Sequence, residues 1–352
     1  MYIGEQLINP TDDRLRLSAQ LGAEGIVDDA RPNHAVLGDN GSWDNRRLAQ
    51  RRRYVEGFGM KYEGLALDVG SVLLDSLHNP EKAAATMDRL RRDILAAGDA
   101  GIPMVKYMVG MVGITRTAPV IGRGGVKCSS FKAASYSQQD DVLYSYRGTL
   151  IPEEGDGALL DEAEAGGQVL ATQIDGVSRA QGWQAIEYLV HGLLPAAEKA
   201  GVRLACHPHD PAYPPEGLNG VHHVLGSLEG MRQFIVLAPE SPWHGFNFCQ
   251  GTIAEMATDP NATVLEAIRE FGPQKRIFMV HFRNIVGGYL DFHEVMPDEG
   301  VVDMAASIRA YREVGYEGVL CPDHVPQSDL DPDRERFFAF CLGYTKALIQ
   351  TQ

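Results

Sequence analysis

Along the chain, short apolar runs alternate with amphipathic segments almost from end to end, the pattern of repeated βα units on a parallel sheet. Eight runs are predicted strands: YIGEQL (2–7), GIVDD (25–29), YEGLALD (62–68), PMVKYM (103–108), VRLACHP (202–208), HGFNFCQ (244–250), IFMVHFRN (277–284) and EGVLCPD (317–323). Helical patterns follow most of them, as in NPEKAAATMDRLRRDILAAGDAG and DMAASIRAYREVGYEG. Both of these end near a glycine that can cap a helix, and the next strand starts within a few residues. Eight such units predict an α/β fold, a (β/α)8 TIM barrel spanning residues 1–352 as one domain. A doubly wound open sheet competes, but no GxGxxG follows the first strand, so its dinucleotide-binding form lacks its signature.

One interval breaks the rhythm. Between strand 4 and the helix near Trp183, residues 109–182 form a connection far longer than a usual βα loop. Its first half, GITRTAPVIGRGGVKCSSFKAASYS, is rich in glycine and hydroxyls, while EEGDGALLDEAEAGG in its second half is acidic and helix-like. An insertion after a barrel strand leaves at the carboxyl face, so this one is expected to be a lid over an active site, with Arg116, Lys127, Ser129 and Ser130 suited to an anionic polyol. A plain surface excursion is the alternative.

Composition narrows the class. With 352 residues, 44% hydrophobic and 22% charged, the chain can bury a substantial core, and a formal net charge of −15 argues against a phosphate-backbone partner. No basic leader opens the chain and no run approaches a membrane span, so a cytoplasmic protein without a membrane or nucleic-acid partner is expected, associating as a homo-oligomer. Five scattered cysteines, at 128, 206, 249, 321 and 341, make neither a disulfide framework nor a CxxC pair.

A barrel enzyme carries its chemistry at the carboxyl ends of its strands. Strands 5 to 8 end in His207, Cys249, His281 and Asp323. Two imidazoles, a thiolate and a carboxylate from four successive strands could hold one divalent metal; manganese, iron or zinc would all suit this mixed donor set. Singly, each has a duller reading: a hydrogen-bonded strand-end histidine, a small buried cysteine, an aspartate capping the next helix. His209, two residues past His207, faces the same way and competes with it, while Cys206 and Cys321 read as packing residues. Arg283, with the facing of His281, could clamp a carboxylate, and His324, directly after Asp323, is placed for proton transfer.

These segments, HPHDPA with GLNGVHHVLGS, FNFCQGT, VHFRN and PDHVP, together with KY and TRT after strand 4, resemble the mannonate dehydratase family of the xylose-isomerase-like barrel superfamily over nearly the whole chain. The resemblance implies a hydro-lyase that dehydrates a sugar acid, an aldonate, to a 2-keto-3-deoxy acid with a divalent metal, usually Mn2+. It implies His207, Cys249, His281 and Asp323 as ligands, and Arg283 and His324 in substrate binding and acid/base chemistry. Lys106, Tyr107, Arg116 and His209 join Arg283 as candidate substrate-binding residues. The chain departs from the family pattern at HPHDP for HPDDP, at YM and GITRT for YN and DWTRT, and in lacking the tyrosine expected after strand 8. These departures fall on the substrate side, which keeps a metal-dependent isomerase, epimerase or β-eliminase acting on a sugar or keto-sugar as the alternative. A non-catalytic sugar-binding barrel would not need both Arg283 and His324.

Overall fold

The computed structural model describes residues 1–28, 35–111, 114–136, 176–218 and 220–352. Eight parallel strands close into a barrel: β1 (Tyr2–Leu7), β2 (Gly25–Asp28), β3 (Lys61–Ala66), β4 (Met104–Met108), β7 (Arg203–His207), β8 (His244–Cys249), β9 (Ile277–His281) and β12 (Val319–Cys321). Around the barrel the order is β1-β12-β9-β8-β7-β4-β3-β2.

Local chemistry starts and stops the helices where the sequence suggests. Helix α4 (Pro80–Asp99) begins with proline behind Asn79, whose side chain accepts from the Lys82 amide. Helix α5 (Arg179–Ala200) carries a capping box between Ser178 and Gln181, and ends on Gly201 at φ 65°, a left-handed position that costs glycine least. Strand alternation then sorts the core. Val105 and Tyr107 pack outward with the helices, whereas Met104 joins Val27, Ala205, Phe278, Met279, Val319 and Cys321 in a plug that fills the barrel interior. Lys106 and Met108 therefore share the interior face of β4, above that plug.

A second, antiparallel sheet was not foreseen. It runs β10-β11-β6-β5, built from β5 (Thr117–Ile121) and β6 (Lys127–Lys132) in the long insertion, and β10 (Asn284–Gly288) and β11 (Asp291–Val295) after β9. Both contributing segments leave carboxyl ends of barrel strands, which puts the sheet at that end. The run predicted as one strand over 277–284 is thus divided: β9 stops at His281, and Asn284 opens β10, because its backbone pairs with Val295 rather than with a barrel neighbour. Strand 8 is also shorter than expected, ending at Cys321, so Asp323 lies just beyond it. Asp29 and the acidic stretch 153–167 fall outside the described residues. Among the described residues no helix is long and apolar enough to cross a membrane.

Candidate metal centre

Parallel register brings two of the four predicted ligands to one level, with the other two at the ends of the flanking strands. Cys249 on β8 is the register partner of His281 on β9, which in turn pairs with Cys321 on β12, two residues before Asp323. His207 ends the adjacent β7. The structure brings together all four: His207, Cys249, His281 and Asp323 are buried, and one donor atom from each lies within 4.8 Å of every other.

Hydrogen bonds behind the donors orient them. Nδ1–H of His207 donates to the Pro208 carbonyl at 2.7 Å, leaving Nε2 as a lone pair. Nε2–H of His281 donates to Gln6 Oε1 at 2.9 Å, an oxygen that also accepts from Lys106 Nζ at 2.5 Å. That leaves Nδ1 of His281 turned to Asp323 Oδ2, 3.0 Å away without hydrogen-bond geometry, and Asp323 Oδ1 is also buried without a hydrogen bond. Cys249 caps the short helix α7 (Gln250–Glu255), its sulfur accepting from the Thr252 amide at 3.5 Å and from Thr252 Oγ1 at 3.1 Å. Two unpaired lone-pair atoms, a supported sulfur and an oriented imidazole are the donor set a divalent cation needs. Burial pushes His207 below its ordinary value and so keeps it neutral, the state that binds metal. Burial alone would raise Asp323, but His281, His324 and Arg283 hold it well below the carboxylate range.

The ligands open onto a cavity also lined by Gln6, Lys106, Met108, Ile114, Asp210 and His324. His324 lies beside Asp323, with Nε2 3.7 Å from Oδ2, while its Nδ1–H donates to Glu294 Oε2 at 2.8 Å. Glu294 comes from β11 in the second sheet and went unnoticed in the sequence. Burial works to raise its carboxyl, but His324, Arg283 and Arg116 around it bring it down to about 2.

Behind the cavity lies a buried network of charges. Arg283 Nη1 donates to Glu255 Oε1 at 2.5 Å, Nη2 to Asp210 Oδ2 and Thr252 Oγ1 at 3.1 Å each, and Nε is 3.4 Å from Asp323 Oδ2. Arg116 pairs with Asp210 and Glu294 at 2.6 Å each and donates to Ser129 Oγ at 3.1 Å. Burial pushes Glu255 up to about 8 even against Arg283, with the Asp210 charge adding to the rise. Both guanidiniums expected to meet substrate are thus bound to protein carboxylates. Arg116 ties the described part of the insertion to Asp210 and Glu294, and Ile114 from the same segment lines the cavity.

Other predicted residues sit apart from the cavity. His209 spends both ring nitrogens on backbone, Nε2–H donating to the Val109 carbonyl at 3.0 Å and Nδ1 accepting from Leu225 N–H at 2.9 Å. It stacks on His223, which stacks on Tyr213, and burial and the His223 charge hold it well below its ordinary value. Tyr107 is in the outer core. Ser130 donates to the Ala118 carbonyl at 2.7 Å, and Lys127 is exposed. Asp210 and Glu255 had no assigned role in the sequence; Asp210 was at least visible in HPHDP, next to two histidines.

The sequence model of the D-mannonate dehydratase (UxuA) family matches residues 10–336. Mannonate dehydratase 2 of Halalkalibacterium halodurans is 34% identical over 146 residues, covering 40% of this chain and 40% of that protein. The chain therefore spans 40% of the length of such curated relatives in these matches. Among solved structures, a mannonate dehydratase from Streptococcus suis serotype 2 superposes with a TM-score of 0.75 at 22% identity, over 99% of this chain and 94% of that one. A xylose isomerase domain protein from Planctomyces limnophilus gives 0.57 at 14% identity, over 98% and 96%. At these identities the two structures speak for the barrel fold.

Proposed function

From the premise that the chain belongs to the D-mannonate dehydratase family, we propose that it is a metal-dependent hydro-lyase removing water from an aldonate to give a 2-keto-3-deoxy acid. The observation that carries this reading is the convergence of four buried donors within 4.8 Å beside a carboxylate-oriented histidine. His207, Cys249, His281 and Asp323 would hold the cation, for which manganese is our choice and iron or zinc are the rivals. Bound there, the cation supplies positive charge beside the substrate's oxygens, which offsets the negative charge that develops when the neighbouring C–H bond breaks.

The chain's own groups do the rest. Because Nδ1–H of His324 is fixed on Glu294, Nε2 is free to take the C2 proton. The imidazolium so formed then protonates the C3 hydroxyl, which leaves as water. The C2–C3 enol that remains then tautomerises, its C2 hydroxyl giving up a proton to solvent as C3 takes one, and becomes the keto acid, with His324 already returned to its starting state. One imidazole serving in turn as base and acid fits a chain without the family's tyrosine after strand 8. Lys106, held by Gln6, offers its charge to the substrate carboxylate. Arg283 and Arg116 act from behind as positioning residues, holding Asp323, Asp210 and Glu294 where the cavity needs them. The second sheet and the insertion keep bulk water from the proton transfers. We place the activity in the cytoplasm on a small sugar acid, and the net charge of −15 makes a nucleic-acid partner unfavourable.

The test is to incubate the manganese-loaded protein with a panel of aldonates and keto-sugars and to follow products by NMR and mass. Dehydration gives a product lighter by one water with a new C3 methylene. A product of unchanged mass would replace this reading with isomerisation or epimerisation.

A further inference from the structure

One glutamine joins a metal ligand to a cationic side chain inside the barrel. Gln6 on β1 is buried and lines the cavity together with Lys106, His281 and Asp323. Its Oε1 accepts both from His281 Nε2–H at 2.9 Å and from Lys106 Nζ at 2.5 Å. His281 comes from β9 and Lys106 from β4, neither of which pairs with β1, so the three side chains meet across the interior. Asn247 Nδ2 also stands 3.3 Å from His281 Nε2; turned over, that amide presents its oxygen to the same proton, and it is Gln6 that carries the link to Lys106. Gln6 lies ahead of the residues 10–336 that the family's sequence model matches, so that likeness assigns it no part.

We propose that Gln6 is a positioning residue for the cation and the anionic substrate at once, and that its neutrality is what lets it serve both. Toward the metal, an acceptor on Nε2–H of His281 fixes the proton there and leaves the lone pair at Nδ1, the atom that faces Asp323. Toward the substrate, the amide oxygen holds the Lys106 ammonium at the cavity without cancelling its charge. A carboxylate in this place would do the first task better, because an anion behind a ligating imidazole makes the ring a stronger donor. It would do the second worse, because negative charge beside Lys106 repels an anionic ligand. The glutamine thus balances cation affinity against anion affinity. The identity of the anion rests on the sugar-acid reading above, which this role deepens.

The experiment reads manganese affinity by calorimetry on the metal-free wild type, Q6M and Q6E. D-mannonate affinity is then read on manganese-loaded wild type and Q6E, as Kd where the acid is left unchanged and as KM where it is turned over. Q6M keeps the side chain's length and removes the acceptor; Q6E keeps the acceptor and adds charge, with Lys106 beside it holding the new carboxyl ionised. Q6M is expected to weaken manganese binding by about 10- to 100-fold. Q6E is expected to bind manganese at least as tightly as the wild type while weakening D-mannonate by about 10-fold or more, opposite directions that a packing defect does not produce. Manganese affinity untouched by Q6M, D-mannonate affinity untouched by Q6E, or both ligands weakened together by Q6E overturns the inference. Nitrogen-15 NMR of the metal-free wild type, with His281 assigned by comparison with H281N, covers a variant that fails to fold: a proton on Nε2 supports the inference and a proton on Nδ1 overturns it. A wild type that neither binds nor converts D-mannonate counts against the sugar-acid reading alone, since the manganese and tautomer readings are made without it and still decide the role of Gln6.

Discussion

Replacing Arg116 with methionine removes a fully buried guanidinium that joins three parts of the molecule: the insertion that carries it, Asp210 after β7, and Glu294 on β11. Methionine keeps much of the volume, so the main loss is charge. Breaking a buried pair from one side costs about 3–5 kcal/mol, because the remaining carboxylates stay buried and uncompensated. Here Asp210 keeps Arg283 and Glu294 keeps His324, which places the cost near the lower end, about 3 kcal/mol. At roughly 2.1 cal/mol/K of unfolding entropy per residue, a chain of this length should lose about 4 °C in Tm. Thermal and urea unfolding at one fixed manganese concentration measure this, since a ligand that binds the native state shifts apparent stability. The same cycle with E294Q adds a second check: R116M/E294Q should be more stable than the sum of the single losses by about 1–3 kcal/mol, because the double variant strands one buried charge fewer. If R116M unfolds with the wild type, or if the two losses simply add, the buried network does not lock the insertion in this way, and Arg116 returns to the list of groups that meet substrate.

Other expected outcomes follow from the same contacts. C249S should lower the manganese bound per chain, read by elemental analysis, with the barrel's circular dichroism unchanged; full metal content would remove the sulfur from the ligand set. H324N should cut turnover by about 10²- to 10⁴-fold while metal content and Tm stay near wild type, and unchanged turnover would take His324 out of the mechanism. Fully buried His244, its Nε2–H on the Phe234 carbonyl, has its value lowered by burial to about 4. Since it falls below the unfolded value of about 6.5, its contribution to stability is complete above pH 6.5 and is lost as pH drops toward 4, about 2 kcal/mol by pH 5. H244Q should therefore flatten the acid limb of urea stability between pH 7 and pH 5, and an identical slope in both proteins would contradict the assignment.

The barrel was legible because its signal is periodic: eight apolar runs, most of them followed by an amphipathic stretch, leave few arrangements open. The four donors were legible for the same reason, as each stands at the carboxyl end of a run. The second sheet was not. Asn284 directly extends an apolar run, and only the pairing of β10 with β11 and of β11 with β6 shows where the barrel strand stops. Glu294 was hidden with it, since DFHEV gives no hint that its carboxylate will reach His324 from another sheet. Arg283 and Arg116 show the reverse limit. Their residue type suits an anionic substrate, but a sequence does not reveal the buried carboxylates that occupy them. His209 illustrates the same point with backbone groups in place of carboxylates.

The central claim is that one divalent cation sits among His207, Cys249, His281 and Asp323. Crystals grown with manganese and measured near its absorption edge test it directly. The account predicts a single anomalous peak per chain among the four donor atoms, in direct ligation to each of them. A peak elsewhere on the chain, or none at this point in protein that carries stoichiometric manganese, would contradict it.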